Sequence, residues 1–273
     1  MPTVVLVSLL LAQTPRPHTI TGDVRTHVAF ESKLLGNRRD ISVWLPSQYV
    51  KEPKRRFPVL YMHDGQNAFD FATSFVGEWR ADEVATGLIG AGMMEPVIIV
   101  AVPNMGADRA NEYLPTRARS MGGKADLYGR FLAEDLKPFI DRNYRTKTGP
   151  MDTGLIGSSL GGIVTLHLGL TKSLVFGKLG VVSPSVWWDD RLMLKNVAKL
   201  PAKTPNRIWL DIGSDEGEGA MKDAEALRDA LVAKGWRNGR DLAFYLDWGA
   251  KHNESAWSGR LGAILMYLFP SKR

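Results

Sequence analysis

Gly157-Ser158-Ser159-Leu160-Gly161 places a serine between glycines in the pattern G-x-S-x-G, a spacing suited to nucleophilic attack on a carbonyl carbon. Apolar Leu155-Ile156 precedes it and Gly162-Ile163-Val164-Thr165-Leu166 follows, so the stretch reads as strand, sharp turn, helix. Such a turn holds its central residue in a strained conformation, and the flanking glycines let strand and helix approach without side-chain clashes. Ser159 Oγ would then project above the sheet edge with a helix N-terminus behind it. A serine hydroxyl needs a base to take its proton, and that base needs a carboxylate to orient it. The tetrahedral intermediate also needs N–H donors for its oxyanion. The competing reading, a glycine-rich turn with buried serines, predicts none of these partners.

The elements that must position them alternate along the chain. Residues 24–31 and 40–45 alternate apolar and polar side chains around Gly36-Asn37, a hairpin signal. Short apolar runs follow at 59–62, 97–102, 155–156, 179–182, 208–212 and 242–246. Between most of them, residues 79–89, 127–143, 163–170, 220–234 and 255–269 carry apolar side chains at three- and four-residue spacing, as helices do. Strands alternating with helices imply an α/β fold, a mostly parallel central sheet covered on both faces. With an N-terminal antiparallel hairpin and the serine elbow at about the fifth strand, the layout is that of an α/β-hydrolase.

In that layout the order is serine, then acid, then histidine. His18, His27 and His63 precede Ser159 and fail the order. His167 lies eight residues along the same helix, a rise of roughly 12 Å, too far to bond the hydroxyl. His252 remains, in the loop after the last strand, where a base belongs. The acid should follow the penultimate strand, where Ser214-Asp215-Glu216-Gly217-Glu218 supplies three carboxylates. Glu216, three residues after Gly213 where such an acid often sits, is the first choice and Asp215 the second; capping of the next helix would account for one or two of the three carboxylates but hardly all. Asp247 is a weaker candidate. One oxyanion donor is expected from the Leu160 N–H and the other from the Gln66 N–H, in the polar turn after the third strand.

Composition bounds the rest. The 273 residues, 44% hydrophobic and 23% charged, are ordinary for a globular α/β core. Without cysteine there is no disulfide, thiolate metal site or cysteine nucleophile. The net charge of +6 is dispersed, and its densest cluster, Lys54-Arg55-Arg56, reads as a solvated loop and not a nucleic-acid patch. No apolar run approaches the roughly 18 residues of a membrane span. Residues 4–12 form an apolar run ending in a small residue, like the core of a secretory signal, although no Lys or Arg precedes it. The expectation is a leader over residues 1–19 with a periplasmic or secreted location, the alternative being a first strand of a cytoplasmic protein. Residues 20–273 then form one domain.

Several separate motifs resemble one family of α/β-hydrolases, the esterases that include esterase D, siderophore (enterochelin-type) esterases, feruloyl esterases and antigen 85 acyltransferases. The resemblance runs over most of residues 20–270. Tyr61-Met62-His63-Asp64-Gly65-Gln66-Asn67 is similar to that family's oxyanion loop and Gly77-Glu78-Trp79 to the segment after it. Arg109-Ala110-Asn111-Glu112-Tyr113-Leu114-Pro115 resembles its substrate-side element, and Ser183-Pro184-Ser185-Val186-Trp187-Trp188 the loop following the elbow. His252-Asn253-Glu254, with Trp257 and Arg260, resembles its histidine segment. The resemblance implies a cofactor- and metal-independent serine esterase for a small-molecule ester, with Asp64, Asn67, Trp79, Arg109 and Glu112 on the substrate side. Of the adjacent indoles Trp187 and Trp188, at least one should line the pocket and stack on an aromatic or sugar group. Arg109 suits an acid-bearing or catecholate ester, or else pairs with Glu112 or another acid. Two rivals keep the same residues or fold: an acyltransferase in which an alcohol captures the acyl group, and a non-catalytic binding module.

Overall fold

Strands that are apolar on both faces can be buried only between two layers of helices, and that requirement organises the chain. The computed structural model describes residues 16–271, so the apolar run at residues 4–12 lies outside the described residues. The main sheet comprises β1 (Asp23–Ser32), β2 (Asn37–Leu45), β3 (Val59–His63), β4 (Ile98–Val102), β7 (Thr153–Ser158), β8 (Lys178–Val182), β9 (Arg207–Gly213) and β10 (Leu242–Asp247). Their spatial order is β1-β2-β4-β3-β7-β8-β9-β10, while β5 (Arg117–Ala118) and β6 (Met121–Gly122) form a separate small ribbon. β1 pairs antiparallel with β2, and β2 antiparallel with β4. All remaining neighbours in the main sheet are parallel. Ser159 therefore follows the fifth main-sheet strand in chain order.

The period of two sorts side chains between the layers. In β3, Val59 and Tyr61 enter one core and Leu60 and Met62 the other. The first core is covered by α3 (Arg109–Tyr113), α4 (Ala125–Arg130), α5 (Lys137–Asn143), α6 (Leu160–Thr171), α7 (Trp188–Lys199) and α8 (Glu218–Lys234), through residues such as Tyr128, Ile163, Val197 and Leu227. The second is covered by α2 (Ala81–Gly90) and α9 (Glu254–Leu268), through Ala85, Ile89, Leu261 and Leu265. Each large apolar side chain so buried contributes about 1.5–3 kcal/mol relative to exposure. A short α1 (Gln48–Lys51) completes the set, and no helix among the described residues is long and apolar enough to cross a membrane.

Two elements depart from the expected pattern. The helix expected over 127–143 is three pieces, with a π-helical turn at Phe131–Leu136 between α4 and α5. Pro138 has no N–H to donate, and the helix widens just before it. α7 was not expected: Asp189, Asp190 and Arg191 take left-handed angles in its first turn, so its buried Trp188, Met193 and Val197 never present a clean helical period.

Candidate active site

β7 ends at Ser158 and α6 begins at Leu160, which leaves Ser159 alone between them. Its φ of 58° and ψ of −119° lie where side-chain-bearing residues are strained by about 1–3 kcal/mol. The tightness is forced by contact: a Cβ on Gly157 would sit 2.9 Å from the Gly161 carbonyl. Bonds on both sides hold the elbow, from the Ser159 N–H to Val182 O (3.0 Å) and from Gly162 N–H to Ser159 O (3.1 Å). The Ser159 hydroxyl lies 3.1 Å from Ser185 Oγ, and the Ser185 N–H donates to Ser159 O at 3.1 Å. At rest this hydroxyl is paired with another hydroxyl and not with an imidazole.

Glu216 closes a 3₁₀ turn after β9, and His252 lies between β10 and the Asn253 N-cap of α9. Their loops meet: His252 Nδ1 is 2.6 Å from Glu216 Oε2, with the carboxylate 1% and the imidazole 43% exposed. The other oxygen, Oε1, accepts from the Gly213 N–H (2.9 Å) and the Ser183 hydroxyl (2.5 Å). Burial alone would raise the Glu216 carboxyl, but the donors from His252, Ser183 and Gly213 hold it below the ordinary value. An ionised carboxylate only accepts, so the proton sits on Nδ1 and Nε2 keeps its lone pair. The Asp215 carboxylate instead meets Ser214 Oγ at 3.3 Å, while the Asp215 N–H bonds Ala250 O at 3.0 Å. Asp247 bonds Arg260. Gly213 stands where the two loops touch, since a Cβ there would fall 2.2 Å from Ala250 O. Its φ of −86° is ordinary, so glycine is required for room.

The turn after β3 starts with Asp64 at a left-handed φ of 54° and continues as a 3₁₀ turn, Gly65–Asn67. A Cβ on Gly65 would lie 2.3 Å from Val102 N, so the turn is pressed onto β4. Neither the Gln66 N–H nor the Leu160 N–H has an acceptor among the described residues. Gln66 and Ser159 line one cleft of about 770 Å³, together with Asp64, Arg109, His252 and Trp257. Arg16, Phe75 and Val76 also line it. Asn67 contributes through its backbone loop: its buried Oδ1 accepts from the Phe75 N–H at 2.9 Å.

Several expected substrate contacts lie elsewhere. Arg109 does line the cleft, yet both its bonds (2.7 Å each) go to Asp64, which also accepts from Asn104 Nδ2. Glu112 does not face the cleft; it is buried in an ion pair with Arg39 (2.8 and 3.1 Å) and accepts from Asn37. Trp79 is core, 3% exposed and 6.1 Å from the Trp257 ring. Trp188 is likewise buried, its Nε1–H donating to Thr116. Trp187 is half-exposed beneath the Arg119 guanidinium and does not line the cleft. Adjacent residues on this turn point oppositely, and the buried one supports α7.

Two of the histidines excluded as the base have structural places. His167 is buried with Nε2 on Asp126 (2.8 Å). His63 is fully buried against Tyr113 and Tyr128, and burial lowers its pKa to about 4, with Asp64 opposing and Arg109 adding. Between pH 6.5 and 4 the unfolded chain therefore binds the His63 proton and the folded chain does not, so folding stability falls as the pH falls. The expected loss from this group is about 3 kcal/mol. It is read as the difference in urea-unfolding free energy across that window between the protein and His63→Asn, whose slope should be flatter. Equal slopes would exclude the effect.

Three residues quoted only as motif neighbours, Ser183, Ser185 and Arg260, prove central, together with Asp211, which no motif singled out. Ser183, Ser185, Asp211 and Arg260 surround the elbow and Glu216, and Arg260 reaches Asp211 (3.2 Å), Asp247 (3.1 Å) and Ser183 Oγ (2.8 Å). Two serines flanking a proline immediately after the strand beside the elbow were the available signal.

A mostly parallel eight-stranded sheet with a strained serine after its fifth strand, an acid after β9 and a histidine after β10 defines an α/β-hydrolase. The chain belongs to the Putative esterase family, whose model matches residues 32–268, and is by that membership a carboxylic ester hydrolase. Among its relatives is YbbA of Bacillus subtilis, 27% identical over 256 residues that cover 87% of this chain and 95% of that one. The ferri-bacillibactin esterase BesA of the same organism is 26% identical over 196 residues, 67% of either chain. The fold is also that of the Shigella flexneri enterobactin esterase FES, solved in the presence of enterobactin, with a TM-score of 0.74 and 20% identity. That alignment covers 93% of this chain and 60% of FES.

Proposed function

We propose that the protein hydrolyses esters through a covalent acyl-enzyme, with Ser159 as nucleophile, His252 as base and then acid, and Glu216 as the group that orients the imidazole. The observation that carries this reading is the 2.6 Å His252–Glu216 bond in the cleft that Ser159 enters from a strained elbow. Ser159 leaves Ser185, passes its proton to His252 Nε2 and attacks the carbonyl carbon, and the oxyanion is received by the Gln66 and Leu160 N–H groups. The ester C–O bond then breaks, and the alcohol departs with the proton from Nε2. Water adds to the acyl carbon with His252 again as base, Ser159 regains its proton, and the acid is released. The half-exposed imidazole lets water approach the acyl-enzyme, and hydrolysis is the outcome proposed; an added alcohol acceptor that appeared in the product ester would indicate transfer instead. The substrate class we favour is a siderophore-type or other aryl ester. Supporting it are relatives named for ferri-bacillibactin and enterobactin, and a cleft that combines Arg16 and Arg109 with exposed Phe75 and Val76.

The test is a fluorophosphonate probe followed by peptide mapping. The phosphonyl group should be found on Ser159, and labelling should fall at least 100-fold, as about 3 kcal/mol of activation would produce, in His252→Ala. Label on Ser158, or equal labelling of the variant, would overturn the assignment.

A further inference from the structure

Ser183, the first residue after β8, is 1% exposed and held at a φ of 39°, a left-handed angle unusual for serine. Its hydroxyl has three partners: Glu216 Oε1 at 2.5 Å, Trp257 Nε1 at 3.0 Å and Arg260 Nη2 at 2.8 Å. A hydroxyl owns one proton and two lone pairs, whereas indole and guanidinium nitrogens only donate. Both lone pairs are therefore filled, and the single proton has one destination, Glu216. The donors are themselves fixed. Arg260 is gripped by Asp211 from β9 and Asp247 from β10, and Trp257 lies on Trp79. Asp211 Oδ1 also accepts the Ser183 N–H at 3.0 Å, so the backbone of Ser183 is tied to the same carboxylate as its arginine partner.

We infer that Ser183 is a positioning residue: Trp257 and Arg260 force its hydroxyl to donate to Glu216 Oε1, which leaves Oε2 as the acceptor that sets the His252 tautomer. The inference rests on the proposed Ser159–His252–Glu216 chemistry. It assigns the Asp211–Arg260–Asp247 network a task beyond holding β9, β10 and α9 together, because the arginine that both carboxylates fix donates to this hydroxyl and itself stands 3.8 Å from Glu216 Oε1. Without that donor the Glu216 charge is less shared, and the His252–Glu216 pair takes up a proton at higher pH.

The experiment compares kcat, KM and the acid limb of kcat/KM against pH for the full chain and for Ser183→Ala, Trp257→Phe and Ser159→Ala. In Ser183→Ala, kcat should fall about 10- to 100-fold with KM within about threefold, and the acid limb should move up by about one pH unit. Trp257→Phe frees one lone pair of the hydroxyl, so its limb should move the same way by less, and it carries the test if Ser183→Ala does not fold. Buried Asp211, its carboxyl pushed up to about 6 by burial with Arg260 opposing and Glu216 adding, shares Arg260 with the Ser183 hydroxyl, so a moved limb counts only together with a shifted His252 resonance. Proton NMR supplies a second readout, a low-field His252 Nδ1–H resonance that should shift in both variants. A lowered kcat with an unmoved limb and resonance would mean a merely structural role and overturn the inference alone. Retained hydrolysis in Ser159→Ala would instead overturn the chemistry on which it rests.

Discussion

Replacing Ser159 by alanine is expected to lower kcat about 10⁴- to 10⁶-fold while KM changes little. The reason is geometric. Ser159 alone occupies the turn between β7 and α6, and the strained angles that expose its Oγ leave no neighbouring hydroxyl able to take its place. Ser158 is the last residue of β7 and is 4% exposed, so Ser158→Ala should retain activity within about an order of magnitude. Ser185 Oγ lies 3.1 Å from Ser159 Oγ, but Ser185 does not line the cleft. The Ser159→Ala protein should fold and bind substrate normally, since the backbone bonds to Val182, Gly162 and Ile163 do not use the hydroxyl. Circular dichroism and an inhibitor titration check those points. Turnover by the variant above about one percent of the parent would exclude Ser159 as nucleophile, because removal of a serine nucleophile costs orders of magnitude more.

Glu216→Gln carries the second large effect, about 10³- to 10⁴-fold in kcat. In the parent, Oε1 accepts from both Ser183 and Gly213. Those two donors will hold the amide oxygen of a glutamine at the same place and turn its NH₂ towards His252 Nδ1. The imidazole must then offer a lone pair at Nδ1 and carry its proton on Nε2, the tautomer that cannot deprotonate serine. Asp215→Asn should leave kcat within about threefold, since its carboxylate faces Ser214 and solvent and its tie to Ala250 is a backbone bond. Parallel kcat measurements on purified variants decide the matter; equal losses in the two would show that the imidazole is oriented by the charge of the loop as a whole and not by Glu216.

The periodicity of the chain contained most of the architecture. Alternation marked the β1–β2 hairpin, apolar runs marked the strands of the parallel sheet, and the serine turn stood where strand and helix patterns abut. Chain order set aside three histidines and distance along α6 a fourth, leaving His252, and the glycine that ends β9 pointed to Glu216 ahead of Asp215; Glu216 lies 2.6 Å from the imidazole. What stayed hidden depends on partners distant in sequence. Glu112 looked like a substrate ligand because nothing nearby in the chain reveals Arg39, 73 residues earlier, as its mate. Trp79 and Trp188 were indistinguishable from pocket residues until Trp257 and Thr116 were seen against them. The left-handed turn that opens α7 breaks the only pattern by which a helix announces itself. Hydroxyl networks leave no periodicity at all, so the role argued for Ser183 had no counterpart in the pattern of residues.

Gly213 carries a last consequence. Its missing side chain lets the loop carrying Glu216 rest against Ala250, so the loops of Glu216 and His252 form one packed piece. That piece hangs from β9 and β10, and β10 is the outermost strand of the sheet, paired on one side only. The serine instead sits at the sheet's well-braced middle, between β3 and β8. The two halves of the proposed chemistry thus have unequal anchorage: the half that would deliver the attacking oxygen is bolted to the keel, and the half that would move protons rides on the gunwale.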